Sequence, residues 1–348
     1  MKDTIYLDSL PLKELQTLVL EAGLEKFRAK QIFQSLHKHR NTSIKDIKGL
    51  SARDLNWLEN EYALTEISIA HVVRSNKDGT EKFLFRLEDE NLIEAVYMPY
   101  KDRTSLCISS QVGCNMGCVF CASTKGGKAR NLSAGEMVRQ LYSIEEVTQS
   151  SINNIVVMGQ GEPLENYTPL VHFLKIVSDP DGANKSLRKI TVSTCGLTDK
   201  IYALAEEGLP VTLAVSLHRT TDESRTALMP INRKYPLKEL LQSIKYYKDT
   251  TGRRVSFEYM VIGGENDSLE DAKRLKNMVK YTEAHVNILK LNPIEEYVLK
   301  GDPMAAEKFC KTLHSIGVYA TFRKSMGQDI EGACGQLRRK FKAGDLKQ

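Results

Sequence analysis

The stretch LCISSQVGCNMGCVFCAS, residues 106–123, decides how this chain is to be read. The apolar, strand-like run SLCISS passes directly into Cys114, Cys118 and Cys121, spaced CxxxCxxC. Iron–sulfur clusters are held by cysteine thiolates. Three thiolates on one short loop would hold three corners of a [4Fe-4S] cluster and leave the fourth iron open. Gly113 and Gly117 give the loop freedom to wrap a bulky inorganic group. Two other readings stay open here. With Cys107, four cysteines fall within fifteen residues, enough for a structural zinc site, although Cys107 lies inside the strand run and not in a turn. A simple electron-transfer cluster would require a fourth cysteine ligand.

After SLCISS come NIVVM, KITVST, TLAVSL, RVSFEYMVI, HVNILKL and VYATFR, separated by amphipathic stretches. Parallel strands need such crossovers, usually helical. The expectation is an α/β fold, a partial (βα)6-type parallel barrel, whose chemistry sits at the C-terminal ends of its strands. The unusual residues fall there: Ser109-Ser110 before the cysteine loop, GQGEP at 159–163 after NIVVM, Ser193-Thr194-Cys195, Ser216-Leu217-His218, and Asn292-Pro293.

Upstream, Leu12, Leu15, Leu18 and Val19 recur at helical period behind Pro11, and Phe27–His37 repeats the pattern. Ser51 followed by Asp54 marks a third helix start. Residues 1–62 therefore read as a small helical domain. Residues 63–103 read as a short β linker, because ISIAHVVRS and KFLFRLEDENLIEAVYMPY flank an Asp78-Gly79 turn signal. The barrel is expected over 104–340 and a basic tail over 341–348.

The 348 residues are 41% hydrophobic and 27% charged, as in ordinary globular proteins. No run reaches the length of a membrane span, which makes a cytoplasmic location, away from membranes, the expectation. Seven cysteines, four of them between Cys107 and Cys121, do not resemble a secreted disulfide framework. The net charge of +5 is mildly basic. Part of it sits in QLRRKFKAGDLKQ, 336–348, with Arg338, Arg339, Lys340 and Lys342, and Lys38 and Arg40 are further candidates for phosphate contacts. Cys310, in the helical pattern EKFCKTLHSIG, is expected in the core.

An open cluster iron can chelate the amino and carboxylate groups of S-adenosylmethionine (SAM). One electron from the cluster then yields a 5′-deoxyadenosyl radical, and the protein's share is positioning and exclusion. The segment MGQGEP at 158–163 is neither a dinucleotide nor a phosphate-loop fingerprint. Its expected use is close backbone approach at Gly161, with Glu162 accepting a hydrogen bond from the SAM ammonium. Ser193, Ser216, Leu217, His218 and Asn292 complete the candidate SAM site, the polar ones suiting carboxylate, ribose and adenine.

These residues, together with MPIN at 229–232, LNP at 291–293 and DIEGACGQL at 329–337, carry a resemblance over nearly the whole chain. The sequence resembles the bacterial dual-specificity RNA methyltransferases of the radical SAM superfamily, which methylate C2 of an adenine in 23S rRNA and in tRNA. The resemblance implies that Cys114, Cys118 and Cys121 bind the cluster. It implies that Gly161, Glu162, Ser193, Ser216, Leu217, His218 and Asn292 contact SAM. Cys334 matches the cysteine that is S-methylated, Cys107 the second catalytic cysteine, and Glu94 the proton acceptor. Gln160 stands where the family usually has Met, and Cys195 where a small residue such as Ser is common.

The implied chemistry uses two SAM molecules per turnover, because adenine C2 lacks the nucleophilicity for direct displacement. One methylates Cys334; the second supplies the radical that takes hydrogen from that methyl group. The thiomethylene radical then adds to C2. Loss of the C2 proton and attack of Cys107 on the Cys334 sulfur release the product and leave a Cys107–Cys334 disulfide for reduction. The implied partners are 23S rRNA, tRNA and an electron-donor system, with a monomer expected. The alternatives are a C8-methylating enzyme of the same group and, more distantly, a zinc-containing RNA-binding protein.

Overall fold

The computed structural model describes residues 4–290, 304–323 and 326–330. Its centre is a ten-stranded sheet. We label the strands β1 Ile67–Arg74, β2 Glu81–Leu87, β3 Leu92–Pro99, β4 Thr104–Cys107, β5 Asn154–Val157, β6 Ile190–Thr194, β7 Thr212–Ser216, β8 Val255–Val261, β9 His285–Lys290 and β10 Ala320–Arg323. They lie side by side in chain order. The pairs from β4 to β10 are all parallel, whereas β1 to β4 pair antiparallel. Six of the seven barrel strands lie within segments anticipated from sequence, and β4 begins one residue before SLCISS. The β stretch before residue 104 is continuous with the barrel sheet: β3 meets β4 with Val96 opposite Cys107.

Residues paired across a sheet share a face, and so do residues two apart along a strand. Leu106, Ile155 and Ile190 line up on one face, with Val157 and Val192 two residues on, all buried against the helices. The opposite face forms the lumen. The pairs Val96–Cys107, Cys107–Val156 and Val156–Thr191 continue through Ser193–Ala214 and Ala214–Ser256 to Ser216–Glu258 and Glu258–Asn287. Parallel strands covered on both faces usually read as unbroken apolar runs. The serines, Glu258 and Asn287 break that rule because their face carries the site.

Helices α1 Leu12–Glu21, α2 Phe27–His37 and α3 Ala52–Glu61 form the N-terminal bundle. Pro11 precedes α1, and the Ser51 hydroxyl caps α3 through the Asp54 N–H. The bundle docks on α4 Ala134–Thr148, itself opened by a reciprocal Ser133–Glu136 capping box. Buried Asp8 accepts from Arg139 on α4 at 3.0 Å and from the Thr65 amide, and Ser9 Oγ caps the Gly135 amide. Arg40 reaches Glu145 at 2.5 Å and lies over the Tyr142 ring, with its side chain still partly exposed. Lys38 is exposed. Around the barrel run α5 Tyr167–Ser178, α6 Thr198–Glu206, α7 Asp222–Leu228, α8 Leu237–Thr251, α9 Leu269–Thr282 and α10 Ala305–Ser315. Cys310 is buried on α10, as its helical pattern predicts. Among the described residues, no helix is long and apolar enough to cross a membrane.

Candidate active site

The cysteine loop leaves the end of β4 through a small hairpin, Gln111–Gly113 paired antiparallel with Lys128–Asn131. Gly113 has φ of +81°, and a Cβ there would stand 1.9 Å from the Gly127 carbonyl oxygen, so the hairpin closes only with glycine. Val119 donates to the Leu228 carbonyl, and Phe120 meets the His218 ring edge-on at 5.0 Å. The loop is thus pinned across the mouth of the barrel against the β7 end.

Burial pushes the Cys114 thiol up to about 12 and raises Cys118 as well, and both feel Cys121. The Cys114 and Cys118 thiols therefore need a cation to become thiolates. A cluster gives each cysteine a different iron, so three cysteines on one wrapped loop fit a [4Fe-4S] group. Among the described residues no two cysteines are joined by a disulfide. The proposed Cys107–Cys334 pairing lies outside them, because Cys334 does.

The glycine-rich loop after β5 is tied to the cysteine loop. The Ser110 amide donates to the Gln160 carbonyl at 2.9 Å, and the Glu162 amide donates to Gln111 Oε1 at 2.8 Å. Gly161 has φ of +104°, and a Cβ there would lie 2.5 Å from the Gln111 Cβ. The Glu162 carboxylate is buried, accepts from the Leu164 and Cys195 amides at 3.0 and 2.8 Å, and has its pKa raised by burial. Each carboxylate oxygen carries a second lone pair, so Glu162 ties the β5 and β6 ends together and keeps acceptor capacity for a ligand. Ser193 and Ser216 stand on the lumen face.

Leu217 is fully buried. His218 takes the left-handed conformation at φ +56°, and its Nδ1 accepts from the Met260 amide at 3.1 Å. Burial, followed by Arg225 and Arg219, pushes its pKa down to about 3, so the ring is neutral. His37, buried between the helical bundle and α4, is likewise pushed to about 3 by burial and Arg139.

Both histidines make the fold acid-sensitive. The native state leaves the rings unprotonated while the unfolded chain takes up protons near pH 6.5, so this contribution is complete above that pH and is lost as pH falls towards 3. From pH 7 to 5 each ring should cost about 2 kcal/mol. Denaturant titrations of wild type and His37→Gln at both pH values check this. A wild-type midpoint that does not move would contradict it.

Asn292 and Cys334 lie outside the described residues. Cys107 ends β4 at 8% exposure, and Glu94 is on β3 at 2%, both on the lumen face. Sequence reading missed two buried cations, one beside Glu94 and one at the ends of β6 and β7. Lys82 on β2, fully buried, places Nζ 3.0 Å from Glu94 Oε2. Arg225 on α7, also fully buried, donates to the carbonyls of Cys195, Ser216 and Leu217 at 2.7, 3.1 and 3.3 Å and to Asn232 Oδ1 at 2.8 Å. Lys82 and Glu94 left a trace, being charges inside the apolar runs KFLFRL and LIEAVYMP. Arg225, in the charged helix DESRTAL, left none.

Residues 108–276 match the Radical SAM superfamily. The chain is 45% identical over 343 residues to the probable dual-specificity RNA methyltransferase RlmN of Staphylococcus haemolyticus, covering 97% of this chain and 93% of that protein. It is 44% identical over 334 residues to the protein of that name from Lachnospira eligens, covering 96% and 95%. The crystal structure of a radical SAM methyltransferase from Sphaerobacter thermophilus superposes with a TM-score of 0.87 at 38% identity, over 95% of this chain and 98% of that one. With this fold, this loop and this similarity along its length, the chain belongs to the dual-specificity RNA methyltransferase family of the radical SAM superfamily.

Proposed function

We propose that this enzyme methylates C2 of adenine in 23S rRNA and in tRNA, with the methyl group carried on Cys334. One observation carries the reading: Cys107, Glu94, Ser193 and Ser216 share one face of the sheet, at whose mouth the cysteine loop is pinned. Identity along nearly the whole chain favours it over the C8-methylating and zinc-protein alternatives.

Cys114, Cys118 and Cys121 would hold the cluster. Gly161, Glu162, Ser193, Ser216, Leu217, His218 and Asn292 would hold SAM, and a neutral His218 suits a ribose or adenine better than a second cation would. When bound, cluster and SAM supply the radical that activates the methyl group. The protein's residues then govern the rest. The radical adduct gives up one electron to a one-electron acceptor of the iron–sulfur class, Glu94 receives the C2 proton, and Cys107 attacks the Cys334 sulfur while the released methylene carbon takes up a proton. Two electrons from a donor system restore both thiols. The adenine must leave its stack to enter the lumen, costing a few kcal/mol. The helical bundle and the basic tail would grip the RNA backbone. The enzyme is read as a cytoplasmic monomer.

The test is an anaerobic assay with reductant, labelled SAM and both unmodified RNAs, some deuterated at adenine C2, read by nucleoside mass spectrometry. Loss of C2 deuterium together with methylation of both RNAs is the expected result. Retained C2 deuterium in a methylated base would overturn it.

A further inference from the structure

The Lys82–Glu94 pair poses a question that the reaction outlined above does not answer. Both side chains are buried, at 0% and 2% exposure, and Nζ lies 3.0 Å from Oε2. Taking two charges out of water costs more than packing an apolar pair of similar volume would, so such a pair is weak support for stability. Its position is specific. Lys82 pairs with Val96 and Val96 with Cys107, which places lysine and cysteine in one cross-strand row, with Glu94 two residues along on the same face. The Glu94 backbone is clamped too. Ser109 Oγ donates to the Glu94 carbonyl at 2.6 Å and accepts from the Gln160 amide at 3.0 Å, coupling β3 to the loop beside the cluster cysteines.

We propose that Lys82 is a positioning residue that aims Glu94 as the proton acceptor beside Cys107. This rests on the reading in which Glu94 takes the C2 proton. On a face lined there by Leu84 and Leu92, the contact from Nζ to Oε2 at 3.0 Å fixes the direction of the carboxylate. The ammonium has no acceptor of its own, so it holds the carboxylate without competing for the proton. In the step itself the radical adduct gives up one electron to a one-electron acceptor of the iron–sulfur class, the proton passes from C2 to the Glu94 carboxylate, and the electron pair of the C–H bond stays in the ring. The antiparallel extension β1–β3 thereby does more than link: it delivers the base and its counter-ion to the barrel.

Lys82→Met, Lys82→Arg, Glu94→Gln and the double variant Lys82→Met/Glu94→Gln separate the possibilities, assayed as the reconstituted holoenzyme on RNA with hydrogen or deuterium at adenine C2. Lys82→Met should lower kcat about tenfold to a hundredfold, within the usual reach of general-base catalysis. RNA affinity should be unchanged, the C2 isotope effect should rise, and covalent protein–RNA adduct should accumulate. Lys82→Arg should restore both rate and isotope effect. The double variant should be no slower than Glu94→Gln alone, since the two residues act as one unit. Wild-type kcat and isotope effect in Lys82→Met would overturn the proposal. So would a slow Lys82→Met with an unchanged isotope effect and no rescue by arginine, the mark of a merely structural lysine. Glu94→Gln at full rate would instead overturn the underlying assignment of Glu94, whatever Lys82→Met does.

Discussion

Cys107→Ala is expected to leave the enzyme covalently attached to its RNA. The reading above gives the two non-cluster cysteines opposite duties: Cys334 carries the methyl carbon to the base, and Cys107 cuts the resulting C–S link by taking the sulfur. Without the Cys107 thiol the adduct forms and has no exit. A denaturing gel of an anaerobic reaction should show a protein band shifted by the mass of the RNA, with methylated adenine at background. Cys334→Ala should show neither adduct nor product, because the methyl group never finds its carrier. The placement of Cys107 supports this division. It ends β4 on the lumen face, in register with Val96 and two residues from the row of Glu94, so the group that opens the adduct and the group that deprotonates it stand on adjacent strands. A Cys334→Ala enzyme that methylates RNA at full rate would refute the mechanism. A Cys107→Ala enzyme that turns over freely would remove Cys107 from it.

The barrel was legible because its strands obey a local rule: short β-branched runs with polar punctuation at their C-terminal ends. Each segment from SLCISS to VYATFR contains a strand, and Phe27–His37 is a helix with the bounds its pattern implies. The superfamily was legible for a different reason, since the CxxxCxxC spacing is a local signal and lies within the matched residues 108–276. What sequence did not convey is long-range. Nothing in KFLFRL says that Lys82 will meet Glu94, because that contact depends on the register of β2 against β3. Nor does ISIAHVVRS say that its strand will extend the barrel sheet. Arg40 is similar: its cationic character is plain in sequence, but its contacts with Glu145 and Tyr142 are not. Local pattern assigns elements and ligands, whereas partners are assigned by topology.

Arg225→Met should do more damage than any other single change outside the cysteines. The fully buried guanidinium gathers three main-chain carbonyls from the ends of β6 and β7 and the Asn232 amide oxygen, four acceptors on one planar fork. Two of those carbonyls belong to Ser216 and Leu217, and the third to Cys195, whose own amide holds Glu162. Arg225 therefore sets the spacing between the strand ends from which the SAM site is built. Removing it strands buried acceptors at about 1–3 kcal/mol each, so a loss of about 4 kcal/mol or more is expected once partial relaxation is allowed. Lysine should not rescue, because a single ammonium on a flexible stem cannot reproduce a fork that spans acceptors at the ends of two strands and on Asn232. There is a second, electrostatic consequence. Arg225 is among the groups that act on the Cys118 thiol, and it favours the thiolate that burial opposes. The variant should accordingly bind less iron per chain after anaerobic reconstitution, as well as melting early and losing SAM affinity. Thermal unfolding, iron content and SAM titration of wild type, Arg225→Met and Arg225→Lys read the three effects separately. A methionine variant within about 1 kcal/mol of wild type, the range of an ordinary substitution, with full iron content, would show that the strand ends hold their spacing without the arginine.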